Sequence, residues 1–245
     1  VSGYSDTIWL TAQQRVDRDY AAFGEATFDV TPKLTAMAGV RFFKSDNSLE
    51  GFYGYGKGYG STGEKACFRV GGVNGAPCTN LDKRVKETGH VPKVTVTYKF
   101  DDTKLAYVTY SEGFRPGGIN RRSTLPPYQA DYLKNYEFGW KTSWMENRVR
   151  WNGAVFMEDW QNFQFSILGA NGLTEIKNAN QARIKGLESD VTLAVTRGFT
   201  INAAATYTDA QLTANYCGVT DASGNPVTKC ATPQAPDGTV LPVTP

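Results

Sequence analysis

The sequence predicts an all-β protein: a transmembrane, antiparallel, up-and-down β-barrel, of which about eight strands lie in this chain. Three observations carry that prediction. Apolar and polar side chains alternate at period two along successive segments, giving each segment one oily and one polar face. The oily faces are rich in rings set beside short turns, where an aromatic with a polar handle settles between hydrocarbon and water. Tight turns also alternate with long loops, as they must when one end of a barrel carries short links and the other long ones.

The clearest hairpin runs from Asn135 to Gln161 and holds four of the chain's five tryptophans. Its first arm sets Tyr136, Phe138, Trp140 and Trp144 against Glu137, Gly139, Lys141 and Ser143, with Thr142 as the one polar interruption. After the turn Met145–Arg148, Val149, Trp151, Gly153, Val155 and Met157 oppose Arg150, Asn152, Ala154, Phe156 and Glu158. A soluble sandwich would fill such a face mainly with branched aliphatics. Rings at the turn fit a membrane boundary better.

Taken in order, residues 1–14 carry no firm pattern. From about Arg15 to Val30, Tyr20, Ala22, Gly24, Ala26, Phe28 and Val30 are expected to face outward, with Ala21, Phe23, Glu25, Thr27 and Asp29 inward. Thr31-Pro32-Lys33 is a turn, its proline preset for the bend. Leu34 to Phe42 then faces out at even positions, and Thr35 to Phe43 in at odd ones. A long connection follows, roughly Gly54 to Asp82. Val94, Val96, Tyr98 and Phe100 next oppose Lys93, Thr95, Thr97 and Lys99, the cleanest strand of the chain. The turn Asp101–Lys104 leads into Leu105–Arg115, with Ala106, Val108, Tyr110 and Phe114 expected outward. A second loop spans Pro116 to Ala130, and after the central hairpin a third lies near Leu168 to Thr174. The last pair joins Leu187–Val195 to Phe199–Tyr207 through Arg197-Gly198, and the chain from Asn215 onward reads as loop. Phe100, Trp140, Trp144, Trp151 and Phe199 are the candidate membrane-interface aromatics.

With 26 basic and 24 acidic residues the net charge is +2, so nothing here suggests a nucleic-acid surface. No apolar run approaches the roughly 18 residues of a spanning helix, which says nothing against strands that hide their hydrophobicity by alternation. A single histidine, His90, and the lack of a paired-carboxylate or Ser/His set leave no catalytic site to argue for. No cofactor or metal is expected. Cys67 and Cys78 share one long loop, Cys217 and Cys230 another, so local disulfides are expected on the far side of the membrane from the tight turns. Each would contribute about 3 kcal/mol in the chain-entropy account. A metal site is the weaker alternative, because no CxxC pair is present. Val1 follows no signal-peptide pattern and DGTVLPVTP reads as loop, so the chain is expected to be an internal piece of a longer protein.

Four stretches resemble the barrel of TonB-dependent outer-membrane receptors: YAAFGEATFDVTPKLTAMAGVRFF (20–43), KLAYVTYSEGFRPGGINR (104–121), YLKNYEFGWKTSW (132–144) and NANQARIKGLESDVTL (178–193). They occur in the family's order at hairpin spacing. The resemblance implies a barrel of about 22 strands plugged by an N-terminal domain, in the outer membrane of a Gram-negative bacterium. It implies import of a scarce nutrient, above all a ferric siderophore, with energy relayed by TonB–ExbB–ExbD. Residues 1–245 would then be part of the barrel. The plug, its TonB-contacting segment and the remaining strands are missing from this sequence.

On that reading the work is binding and passage. Phe52, Tyr53, Tyr55, Lys57 and Tyr59 sit among glycines in GFYGYGKGYG (51–60), where rings and a cation suit a catecholate, an aromatic or a sugar. A flexible loop whose tyrosines pack on their neighbours is the plainer account of the same run. Arg115, Arg121 and Arg122 gather around the second loop and suit an anionic chelate, or equally carboxylates and lipopolysaccharide at the rim. Inward Glu137, Lys141, Arg150, Glu188 and Asp190 are expected to line the lumen and meet the plug. The partners implied are outer-membrane lipid, lipopolysaccharide, the TonB system and a small nutrient. Uptake of a carbohydrate or cobalamin, a passive porin or adhesin barrel, and a soluble glycan-binding module are the alternatives.

Overall fold

The computed structural model describes residues 7–55, 65–169, 172–221 and 225–241. Its strands, in chain order, are β1 (Trp9–Thr31), β2 (Leu34–Tyr55), β3 (Arg69–Val70), β4 (Cys78–Thr79), β5 (Leu81–Asp101), β6 (Lys104–Arg115), β7 (Asp131–Trp144), β8 (Val149–Gln161), β9 (Gln164–Leu168), β10 (Thr174–Asn178), β11 (Gln181–Thr196) and β12 (Phe199–Leu212). Eight of them form one antiparallel sheet in the order β1-β2-β5-β6-β7-β8-β11-β12. Each neighbour in sequence is a neighbour in space, as an up-and-down barrel wall requires. The wall is not closed: β1 and β12 are its edges.

The four tight turns lie at one end. Thr31 Oγ1 accepts from the Lys33 and Leu34 amides at 3.2 and 3.0 Å, and Asp101 Oδ1 accepts from the Thr103 amide at 2.8 Å. Such side-chain acceptors hold a bend without a longer loop. The link between β7 and β8 is different. Met145, Glu146 and Asn147 take φ of 52°, 54° and 64°, a left-handed run without glycine.

Alternation sorts the two faces as expected. Val94, Val96, Tyr98, Val108, Phe138, Val155, Leu187 and Ile201 stand exposed on one face, the surface a lipid shell would cover. Phe100, Trp144, Trp151 and Phe199 lie on this face next to the turns. Trp140 differs. It sits four residues up from Trp144, packs edge-on to Trp151 at 5.3 Å, and buries its indole N–H with no partner among the described residues. A buried handle cannot anchor a ring at the headgroups, so Trp140 acts as packing.

What it packs on is glycine. A Cβ on Gly153 would stand 2.3 Å from the Trp140 ring, directly opposite in the register. The same pairing recurs on the other face as Phe43 over Gly89, Tyr107 over Gly139 and Phe156 over Gly186. A ring laid across a bare backbone returns the cross-strand contact that glycine lacks.

The strands differ greatly in height. A tilted strand needs about 9–11 residues to cross a bilayer. β6, β7 and β8 have 12, 14 and 13, whereas β1, β2 and β5 have 23, 22 and 21. The tall strands therefore run on above the membrane. β5 leaves β6 after the pair Lys93–Ser111, and the next residue is Pro92. Proline has no N–H to donate and belongs where a strand turns into an edge. Phe114, expected outward, lies beyond this parting. The faces of β5 and β6 are no longer continuous there, and its ring stacks on inward Phe43 at 3.5 Å.

Candidate functional site

The parting between β5 and β6 is filled by the loops, which fold onto the inner face of the tall strands. Residues 116–130 lie nearest the wall. Ile119 packs with Leu49 and Leu81. Asn47 Nδ2 donates to the Gly117 carbonyl at 2.9 Å, Gln13 Nε2 to the Arg121 carbonyl at 2.8 Å, and Lys83 Nζ to the Ser123 carbonyl at 2.9 Å and to that of Leu125. Lys83 stands well above the membrane band, and burial, with Lys65 nearby, holds its ammonium below the ordinary lysine range.

The β9–β10 hairpin docks on that loop through amides. Asn120 Nδ2 donates to the Ile176 carbonyl at 2.9 Å while its Oδ1 accepts from the Ile176 amide at 2.8 Å, as a neighbouring strand would. Asn178 Oδ1 accepts from the Gln129 amide at 2.9 Å, and its Nδ2 donates to the Gln129 and Asn162 carbonyls. Asp131 is the latch. It is 1 % exposed, and its carboxylate accepts from Arg115 Nε at 3.0 and 3.1 Å, Trp160 Nε1 at 3.0 Å and the Gln164 amide at 3.0 Å. Residues 213–221 and 225–241 close over the far side, where Leu212, Tyr216 and Leu241 join Phe163, Ala179, Ala182 and Ala210 in the largest apolar cluster among the described residues. Burial raises the Tyr216 phenol above its ordinary value, and its hydroxyl has no partner among the described residues.

Among the described residues, two recesses in this cap stand out. One of about 300 Å³ is bordered by Trp9, Arg15, Arg121, Arg122, Ser166 and Ile176. The other, about 340 Å³, lies between Pro126, Pro127 and Tyr128 on one side and Lys177, Tyr216 and Val219 on the other. A third, about 460 Å³ and open, is on the wall beneath, where Tyr107, Lys141, Asn152, Glu188 and Asp190 gather. Tyr107 Oη donates to Glu137 at 2.7 Å and Asn152 Nδ2 to Asp190 at 3.0 Å.

The candidate residues scatter over these features. Phe52 and Tyr53 are 2 % and 0 % exposed. Phe52 packs with Ala76 and Cys78, and the Tyr53 backbone is held by Asn80 at 2.9 and 2.8 Å. Tyr55 ends β2, and Lys57 and Tyr59 lie outside the described residues. Arg115 is committed to the Asp131 latch and lies over the Trp160 ring. Arg122 is paired with buried Glu175. Arg121 is exposed and has no ion pair among the described residues, which leaves it the available guanidinium of the first recess. Cys67 bonds Cys78 and Cys217 bonds Cys230, each pair within one loop region. Asn120, Asn178, Asp131 and Gln164, which build the cap, carry no spacing that marks them in the sequence.

Comparison with known proteins gives a consistent picture. The family described as "TonB dependent receptor-like, beta-barrel" matches residues 3–243. The chain is 25 % identical over 202 residues to the ferric-pyoverdine M114 receptor PbuA of Pseudomonas sp. (strain M114), covering 80 % of the chain and 21 % of that receptor. Among solved structures it superimposes on the ferric yersiniabactin uptake receptor FyuA from Yersinia pestis with a TM-score of 0.64 at 18 % identity, over 81 % of this chain and 28 % of that one. The ferric-catecholate import receptor Fiu from E. coli K12, in its closed form, gives 0.61 at 16 % identity over 88 % of this chain and 30 % of that one. The chain thus spans between a fifth and a third of the length of these relatives.

Proposed function

The chain belongs to the TonB-dependent receptors of the Gram-negative outer membrane, as part of their β-barrel, and from that premise we propose that the full protein imports a ferric siderophore. The barrel wall carries no reaction; it passes a bound nutrient inward. The observation that carries the proposal is the cap. Loops from the tall end fold onto the inner face and leave a recess with Arg121, Arg15 and Trp9 at its border. An exposed guanidinium beside an aromatic recognises an anionic, ring-bearing chelate by charge and by stacking. The relatives named above support the same cargo class. The lumen charges, Glu137, Lys141, Glu188 and Asp190, are assigned to a plug preceding this segment, through which TonB–ExbB–ExbD would act.

Growth of a deletion strain on single iron sources tests the proposal. Complementation with the wild-type gene restores growth on one ferric siderophore, and Arg121→Ala weakens its binding about 10-fold, the loss of one charge-assisted contact. Unchanged growth on every iron source, with loss of growth on a carbohydrate or on cobalamin, moves the cargo to that nutrient. Transport that persists without TonB makes the protein a passive channel.

A further inference from the structure

The turn that carries Arg121 and Arg122 is held from beneath by donors of three different strands. On the inner face of the tall strands, Gln13 stands in one row with Gly51 and Leu81, Arg15 in the next with Leu49 and Lys83, and Asp17 in the third with Asn47 and Val85. From these rows Gln13 Nε2 donates to the Arg121 carbonyl at 2.8 Å and Asn47 Nδ2 to the Gly117 carbonyl at 2.9 Å. Between them Lys83 Nζ donates to the Ser123 carbonyl at 2.9 Å and to that of Leu125. The Leu125 amide closes the turn on the Arg122 carbonyl at 3.2 Å. The carbonyls of Arg121, Ser123 and Leu125 are therefore all satisfied by wall side chains, as half-buried backbone requires.

Lys83 differs from the other two donors. An ammonium has three N–H donors and no acceptor, so a single point can hold both carbonyls that the turn brings together. No ion pair neutralises it among the described residues; the charged group beside it is another cation, Lys65. A half-buried lysine without a carboxylate is accounted for by the turn it fastens.

The turn decides which of two adjacent arginines is left free. Both border the first recess. Glu175 is 4 % exposed and pairs with Arg122, whereas Arg121 stays exposed. Consecutive side chains diverge, so the way the turn is fastened fixes which guanidinium reaches the carboxylate. With three of its carbonyls drawn to the wall, the turn has one orientation.

We propose that Lys83 is a positioning residue for cargo recognition: it fastens the turn Arg122–Leu125 to the wall, so that Arg121 faces the cargo while Arg122 remains on Glu175. This role rests on the reading of the first recess as the site of an anionic ferric chelate. Lys83 lies behind the turn, does not border the recess and acts through Arg121.

The test uses the full-length protein in mild detergent, with the iron-55 form of the ferric siderophore that restores growth as the probe. Lys83→Met weakens its binding about 10-fold, the loss of the one charge-assisted contact that it positions. Lys83→Met/Arg121→Ala binds no more weakly than Arg121→Ala alone, because both changes remove the same contact. Gln13→Ala, which frees the Arg121 carbonyl, costs about 3-fold, and that loss also vanishes on the Arg121→Ala background. Lys83→Arg keeps a cation with donors for both carbonyls and restores binding, which separates the turn's fastening from a packing defect at this position. A double variant a further 10-fold weaker than Arg121→Ala overturns the proposal, since Lys83 would then attract the cargo by its own charge. Wild-type binding by Lys83→Met overturns it as well. A nitroxide on Arg121→Cys reports the turn without any cargo, ordered when Lys83 is present and mobile with Lys83→Met. Equal mobility in the two backgrounds fells the role of Lys83 alone, whereas growth restored by no ferric siderophore fells the reading of the recess and this role with it.

Discussion

The membrane band and the loop cap of this protein are held together by opposite means. In the band, backbone ladders do the joining and side chains are sorted by face, oily outward and polar inward, with rings laid over Gly139, Gly153 and Gly186 where the ladder is bare. In the cap, few ladders exist, and single polar side chains such as Asn120, Asn178 and Asp131 stand in for them. A bilayer offers no partner to an unpaired backbone group, so the band must be regular. Water tolerates irregular chain, and the cap uses that freedom to shape recesses.

The contrast can be broken at several points, with effects that diminish in order. Val96→Arg puts a charge near the middle of the lipid face and should cost about 2–4 kcal/mol, read as a lower denaturant midpoint of the barrel. Thr97→Arg, one residue on and facing inward, should cost far less. Equal losses would mean the two faces are not distinct. Asp131→Ala takes the carboxylate from Arg115, which keeps its bond to the Gln164 carbonyl, and leaves Trp160 Nε1 and the Gln164 amide without their acceptor. Loss of a buried ion-pair partner costs up to about 3–5 kcal/mol, and the half-exposed Arg115 brings the expectation to about 2–3. The damage should be confined to the cap: protease cleaves within 116–130 or 162–180 in intact vesicles while the band keeps its midpoint.

Gly139→Val drives a branched side chain into the Tyr107 ring, 2.3 Å from where its Cβ would stand, and should cost about 1–3 kcal/mol of overpacking. The double variant Gly139→Val/Tyr107→Ala should regain part of that loss, which a purely local backbone effect would not allow. The smallest effect belongs to Tyr216→Phe, where a buried hydroxyl without a partner among the described residues is removed; stability at neutral pH should change by less than about 1 kcal/mol. Its pH dependence is more telling. A phenol raised in the folded state contributes stability below its unfolded value of about 10 and loses it as the pH climbs past that. The phenylalanine variant should lose this alkaline decline of the cap.

These regions were unequally legible in the sequence. The band could be read almost residue by residue, because alternation, turn residues and ring placement are local and repeat in every strand. The exception inside it, Phe114, fails where β5 and β6 part, and Pro92 was the visible mark of that parting. Trp140 was readable as outward but not as packing, since its partner Gly153 is set by the register across the turn. The cap was nearly opaque. Asn120 reaches Ile176 and Arg122 reaches Glu175 across more than fifty residues, and nothing in an isolated asparagine or arginine says which distant backbone will claim it. Phe52 and Tyr53 read as ring-bearing loop residues, yet β2 continues through them and folds them under Ala76 and Cys78.

The most direct measurement is a spin-label scan from Asp82 to Phe100 in the full-length protein in vesicles, comparing relaxation by lipid-soluble oxygen and by a water-soluble nickel chelate. Val94, Val96, Tyr98 and Phe100 should collide with oxygen and Thr95, Thr97 and Lys99 should not, with the alternation fading above His90 as β5 leaves the bilayer. Equal oxygen access at odd and even positions, or access confined to the odd ones, would contradict the account.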